Sequence, residues 1–111
     1  MKIITKEIQD AFNKQGYCGN KSMKDIKIVM KLFNPCGAGT WYLYEQEDND
    51  IYWGFANLGD RECAEIGTIS MSELMSIRLP FGLKIERDMH FKPFSKTLQE
   101  VYDIVKSGGH V

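Results

Sequence analysis

The sequence is poor in the residues that most often carry chemistry: two histidines, three cysteines and three prolines in 111 residues. Cys18, Cys36 and Cys63 are odd in number and widely spaced, and no C-x-x-C pair occurs. That argues against a disulfide framework and against the paired-ligand zinc pattern, so free thiols are expected. No apolar run approaches the roughly 18 residues that a membrane span needs. The amino terminus Met1-Lys2-Ile3-Ile4-Thr5-Lys6-Glu7 becomes charged too early to read as a secretory signal. A soluble, cytoplasmic protein without membrane contact is the expectation. An excess of one charge is also missing, since 14 basic residues face 15 acidic ones for a net charge of -1. This argues against the uniformly basic footprint of a general nucleic-acid binder and against the strongly acidic surface of a DNA mimic.

What is present is apolar material, at 43% of the chain, enough for one compact domain over residues 1–111. Charge is unevenly distributed along it. Residues 1–31 hold seven lysines against three acids, whereas residues 45–66 hold seven acids against Arg61 alone. Electrostatic poles are expected.

Thr5 can cap a first helix with Ile8, Ala11 and Phe12 on one face before Gly16 stops it. Residues 26–33 alternate, with Ile26, Ile28, Met30 and Leu32 opposite Lys27, Val29, Lys31 and Phe33, which predicts a strand that Pro35 ends. Residues 40–46 are rich in aromatics and predict a second strand, with Glu47-Asp48-Asn49-Asp50 as its hairpin turn. A third strand follows over 51–58, placing Ile51, Trp53 and Phe55 opposite Tyr52, Gly54 and Ala56, and a fourth over 64–69. Ser70 and Glu73 read as a capping box of a brief helix limited by Pro80; residues 83–91 suit a further extended segment. Thr97 and Glu100 cap a last helix with Leu98, Val101, Tyr102 and Val105 on its apolar face, and residues 107–111 form a flexible tail. The expected fold is α+β: a four-stranded antiparallel meander with terminal helices packed mainly on one face.

Candidate chemistry is sparse. Glu86-x-Asp88-x-His90 would place three ligating side chains on one face of a strand, but charges at period two more often mark a solvated face, and no metal site is expected. Cys36 in the Pro35-Cys36-Gly37-Ala38-Gly39 loop has only His90 as a prospective base, and the loop lacks the Lys-Ser/Thr ending of a phosphate loop, so it reads as a structural turn. Trp41, Tyr42, Tyr44, Tyr52, Trp53 and Phe55 could form a stacking platform for single-stranded nucleic acid. The neighbouring acids would repel phosphates, which makes nucleic acid an unfavoured partner.

Three blocks resemble a known family: residues 29–45 with Lys31-Leu32-Phe33-Asn34-Pro35 and Thr40-Trp41, residues 53–70, and residues 82–94 with Glu86-Arg87-Asp88. The family is a small bacterial domain family of unknown function met on plasmids, conjugative transposons and phage-related islands. The resemblance spans about residues 26–95, and its signature falls on Thr40, Trp41, Gly54, Leu58, Gly59, Glu65, Gly67, Glu86, Arg87 and Asp88. The family pattern carries an acidic residue where this chain has Cys36, which sets any thiol chemistry apart from the family. By exclusion and by this resemblance, the expected function is a non-catalytic accessory protein that binds a host protein with a basic surface, as an anti-restriction or anti-CRISPR inhibitor of host defence. The binding pole is expected at Glu45, Glu47, Asp48, Asp50, Asp60, Glu62 and Glu65, with no cofactor, in a monomer or weak homodimer. The alternatives are a metal-dependent hydrolase using Glu65, Glu86, Asp88 and His90, or the single-stranded nucleic-acid module.

Overall fold

The computed structural model describes residues 3–111; Met1 and Lys2, where the segment read as non-secretory begins, lie outside the described residues. The Thr5 hydroxyl accepts the Ile8 amide and starts helix α1 (Lys6–Gln15). Gly16 ends it at φ 67, a left-handed conformation that glycine adopts without a Cβ clash. Strands β1 (Met30–Phe33), β2 (Thr40–Gln46), β3 (Ile51–Asn57) and β4 (Glu65–Ser70) follow, then the short helix α2 (Met71–Met75), a 3-10 turn (Pro80–Gly82), β5 (Glu86–Arg87) and helix α3 (Leu98–Lys106). Around Thr97 both halves of the expected capping box are formed.

The fold is α+β, but its antiparallel sheet has five strands where four were expected, in the order β4-β3-β2-β1-β5. The extended segment expected over residues 83–91 contracts to a two-residue strand, which pairs Arg87 with Leu32 and Glu86 with Phe33 along the outer side of β1. Two residues are too few to show a periodicity.

A second correction concerns the layers, because the terminal helices lie on opposite faces of the sheet. Trp41 and Leu43 pack with Ile8, Phe12, Tyr52 and Leu74, so α1 and α2 cover one face. Tyr42, Tyr44 and Phe55 pack with Leu98, Val101 and Val105, so α3 covers the other. Strand alternation requires this division once both faces are apolar, and it explains why residues 41–45 are buried without interruption.

The alternation expected over residues 26–33 breaks at Val29. Ile26 and Ile28 face the α3 layer, whereas Val29, Met30 and Leu32 face the α1 layer. Regular pairing starts only at Met30, because the preceding stretch bonds the segment that enters α3: the Ile28 amide donates to the Lys96 carbonyl at 2.9 Å, and Leu98 to Ile26 at 2.7 Å. Beyond α3, in the stretch expected as a flexible tail, the Gly109 amide donates to the Ile104 carbonyl and Lys31 Nζ to the Val111 main-chain oxygen. Among the described residues, no helix is long and apolar enough to cross a membrane.

Candidate functional site: the loop end of the sheet

Antiparallel hairpins give the sheet two ends. One carries the turn at residues 47–50 and the start of α2; the other carries the loops 34–39 and 58–64 and the Pro80–Gly82 turn. At this second end, Asn34 closes its own loop: Oδ1 accepts the Cys36 amide at 2.8 Å and Nδ2 donates to the Ala38 carbonyl at 3.2 Å. Such side-chain closure is why Asn-Pro marks a turn. The other two segments rest on this loop. Gly59 approaches Ala38 so closely that a Cβ at position 59 would lie 2.9 Å from that of Ala38, and the Cys36 thiol donates to the Pro80 carbonyl at 3.8 Å.

The Pro80 segment is conformationally costly. The Leu83 amide closes a turn on the Pro80 carbonyl at 3.3 Å, with Phe81 at φ 62, ψ 23 and Gly82 at φ 73. Two left-handed central residues make the mirror-image turn that Asn and Gly normally fill. Holding phenylalanine there costs about 1–2 kcal/mol, and its ring, 97% exposed, packs on almost nothing in return. Leu58, 68% exposed, stands on the neighbouring loop. Phe81 was not among the residues singled out from the sequence, although Pro-Phe-Gly is a readable turn signal.

The seven acids do not form one pole. Glu45 is 8% exposed and accepts the Cys18 amide at 2.9 Å. The β2–β3 ladder shifts register between Leu43 and Glu45, and with both faces of β2 covered the carboxylate is enclosed at Cys18. Glu47, Asp48 and Asp50 sit at the hairpin end and are engaged there: Glu47 accepts the Trp53 indole, Asp48 the amides of Asp50 and Ile51, and Asp50 the hydroxyls of Ser70 and Ser72 with the Ser72 amide. Asp60, Glu62 and Glu65, all exposed, occupy the loop end beside Leu58.

Asp50 thus supplies a cap for α2 from outside the helix. The bonds from Ser70 and Ser72 hold its carboxyl below the ordinary carboxylate range, so their contribution is present at neutral pH and disappears as pH falls through the lowered value. Asp50→Asn should therefore melt below wild type at neutral pH, with the two midpoints converging at pH values well under the normal aspartate pKa of about 3.9. A gap of constant size from neutral to acid pH would refute the assignment.

Beneath the loop end lies an open cleft of about 590 Å³, lined among others by Lys31, Asn34, Thr40, Asn57, Gly59 and Asp88. Three of these, Thr40, Gly59 and Asp88, belong to the sequence signature. Lys31 pairs with Asp88 at 3.4 Å, and Asp88 also accepts the His90 amide at 2.9 Å. Burial would raise the Asp88 carboxyl, but the His90 amide and the Lys31 ammonium outweigh it and hold the group below its ordinary range. Burial, reinforced by the Asp88 charge, pushes the Tyr42 hydroxyl up to about 12 against the opposing Thr40 hydroxyl, so Tyr42 remains a donor. The cleft offers donors and acceptors with its charges already paired.

The rival residue sets are not brought together. Glu65 is on β4 and Glu86 on β5, at opposite edges of the sheet and four strand spacings apart, roughly 19 Å. Asp88 and His90 belong to a turn after β5, and among the described residues no three His, Cys, Asp or Glu side chains form a group that could hold a metal ion. The six aromatics proposed as a stacking platform are core: all are buried except the half-buried Trp53. Cys36 and Cys63 are exposed free thiols and Cys18 is buried. Gly54 and Gly67 face each other in mid-strand.

A family model described as "Protein of unknown function (DUF2958)" matches residues 3–111, extending the resemblance to both terminal helices. No curated protein and no solved structure matches the chain.

Proposed function

Because the chain belongs to this family of unknown function, its role has to be argued from its own surface, and we propose a non-catalytic binding protein whose loop end docks on a partner protein. The observation that carries the reading is Phe81: a bulky aromatic ring, fully presented to solvent on a backbone that disfavours it, is retained at a cost to the free protein. Aromatic anchors of this kind supply much of the energy of protein interfaces. Asp60, Glu62 and Glu65 give the Leu58 side of this end a net negative charge, with Arg61 among them, while Arg78 and Lys84 stand on either side of Phe81 in sequence. A partner with a basic surface on the Leu58 side and an apolar pocket for Phe81 fits this arrangement. The setting we propose is a cytoplasmic accessory protein of a mobile element, acting as a monomer or weak homodimer against a host defence protein such as a restriction or CRISPR effector. The motif resemblance supports that setting.

Phe81→Asn separates the two roles of this residue. Asparagine tolerates the left-handed turn, so the variant should gain about 1 kcal/mol of stability and lose at least about tenfold in affinity for a partner captured from host lysate. Asp60→Lys with Glu62→Lys should slow association and flatten its salt dependence. Wild-type affinity in Phe81→Asn, measured by surface-immobilised binding kinetics, would remove the loop end as the interface.

A further inference from the structure

A second cleft, of about 710 Å³, opens between α1 and residues 87–94 and shares no lining residue with the cleft at the loop end. Arg87 lies in its wall, half-buried, with Nε inaccessible to solvent and without a hydrogen-bond partner. Its Nη2 reaches only the Met89 sulfur, at 3.0 Å, a weak acceptor. Among the described residues no carboxylate oxygen lies within 4 Å of this guanidinium. A guanidinium whose Nε is shielded from water and unpaired is under-satisfied, and its geometric complement is a carboxylate or phosphate that takes two parallel hydrogen bonds.

The same 87–94 wall continues into an apolar part whose backbone is strained. Residues 92–95 form a turn closed by the Ser95 amide on the Lys92 carbonyl at 3.2 Å, with Phe94 at φ 65 in the third position, where Gly or Asn is usual. Phe91 and Phe94 both line the cleft, and Lys14 Nζ stands 5.4 Å from the centre of the Phe94 ring. Lys92 is on the rim. Glu7 and Asp10 also line the α1 side, but Asp10 is paired with Lys6 at 3.0 Å. Met89 is 59% exposed, so an incoming anion can displace its flexible thioether at small cost.

We propose that this cleft binds a small organic anion, a carboxylate or phosphate carried on an aromatic or apolar body, with the anionic group on Arg87 and the body against Phe91 and Phe94. The site goes beyond the protein-docking role and is independent of the loop end.

The test is an amide-resolved NMR titration of the full chain with phenyl phosphate, benzoate and inorganic phosphate. Phenyl phosphate and benzoate should give saturable shifts at Lys14, Arg87 and Phe94, with inorganic phosphate weaker by about tenfold because it lacks the apolar body. Arg87→Met should weaken phenyl phosphate by about tenfold or more through loss of the charge-assisted pair. If Arg87→Met does not fold, Arg87→Lys keeps the charge, loses the fork and should still bind several-fold more weakly. The proposal is overturned by the absence of saturable shifts up to roughly 10 mM ligand, by inorganic phosphate binding as tightly as phenyl phosphate, or by wild-type affinity in the folded Arg87 variants.

Discussion

Val101→Asp is expected to reduce unfolding free energy by about 3 kcal/mol or more. Val101 is fully buried in the layer formed by Tyr42, Tyr44 and Phe55 with Leu98 and Val105, so a carboxylate there has no route to water. Docking of α3 is what buries that whole face of the sheet: Tyr102 packs its ring 5.2 Å from that of Phe55, and Val105 closes the far end. The variant must therefore desolvate a charge, take up a proton, or release the helix and expose the aromatic face beneath. Asp103, on the exposed side of the same helix, is the natural control, and Asp103→Ala should change stability by no more than about 0.5 kcal/mol. Urea and thermal unfolding monitored by tryptophan fluorescence would check both. If Val101→Asp melted within about two degrees of wild type, α3 would not be seated on the sheet.

The ends of α1 and the start of α3, with four of the strands, were readable because each is written in adjacent residues, whereas the start of α2 also takes bonds from the distant Asp50. Thr5 and Gly16 bound α1 as expected, and the reciprocal Thr97–Glu100 bonds start α3 where the capping pattern puts it. The alternation of Tyr52, Gly54 and Ala56 against Ile51, Trp53 and Phe55 likewise survives, because β3 is regular along its length. What was not legible depends on distant partners. β5 exists because β1 offers an open edge at Leu32 and Phe33, and nothing within Glu86-Arg87 announces it. The division of helices between faces follows from which layer each helix meets, while β2 is apolar on both sides and favours neither arrangement.

The acidic set shows the same limit in electrostatic form. Nearness in sequence suggested one pole, but β3, seven residues and roughly 20 Å long, carries the chain from the 47–50 turn to the 58–64 loop at the other end. Glu45, next to the register shift after Leu43, is buried against the Cys18 amide because both faces of β2 are covered. The loop-end proposal therefore keeps only Asp60, Glu62 and Glu65 of that set, and adds Phe81, whose significance is conformational rather than electrostatic.

Gly54 and Gly67 are directly paired across β3 and β4, yet substitutions at the two should act in opposite directions. A Cβ at position 54 would lie 2.8 Å from the Tyr42 carbonyl oxygen and 2.7 Å from Leu43 Cδ2, with Ile69 Cδ1 at 3.1 Å. The leucine end can rotate, but the carbonyl belongs to the neighbouring strand and can move only if the β2–β3 ladder opens. Gly54→Val should therefore cost about 3 kcal/mol, at the upper end of overpacking, and broaden or lose the cooperative transition. A Cβ at position 67 would meet nothing within 4 Å, and Gly67 is not among the positive-φ glycines. Gly67→Val replaces a flexible residue by a β-branched one in open space, and should stabilise by about 0.5–1 kcal/mol. Paired thermal and urea unfolding of the two variants decides the matter. Equal losses at both positions would mean that β4 is packed as tightly as β3, while a neutral Gly54→Val would mean that β2 and β3 are not held in the register that joins Leu43 to Gly54.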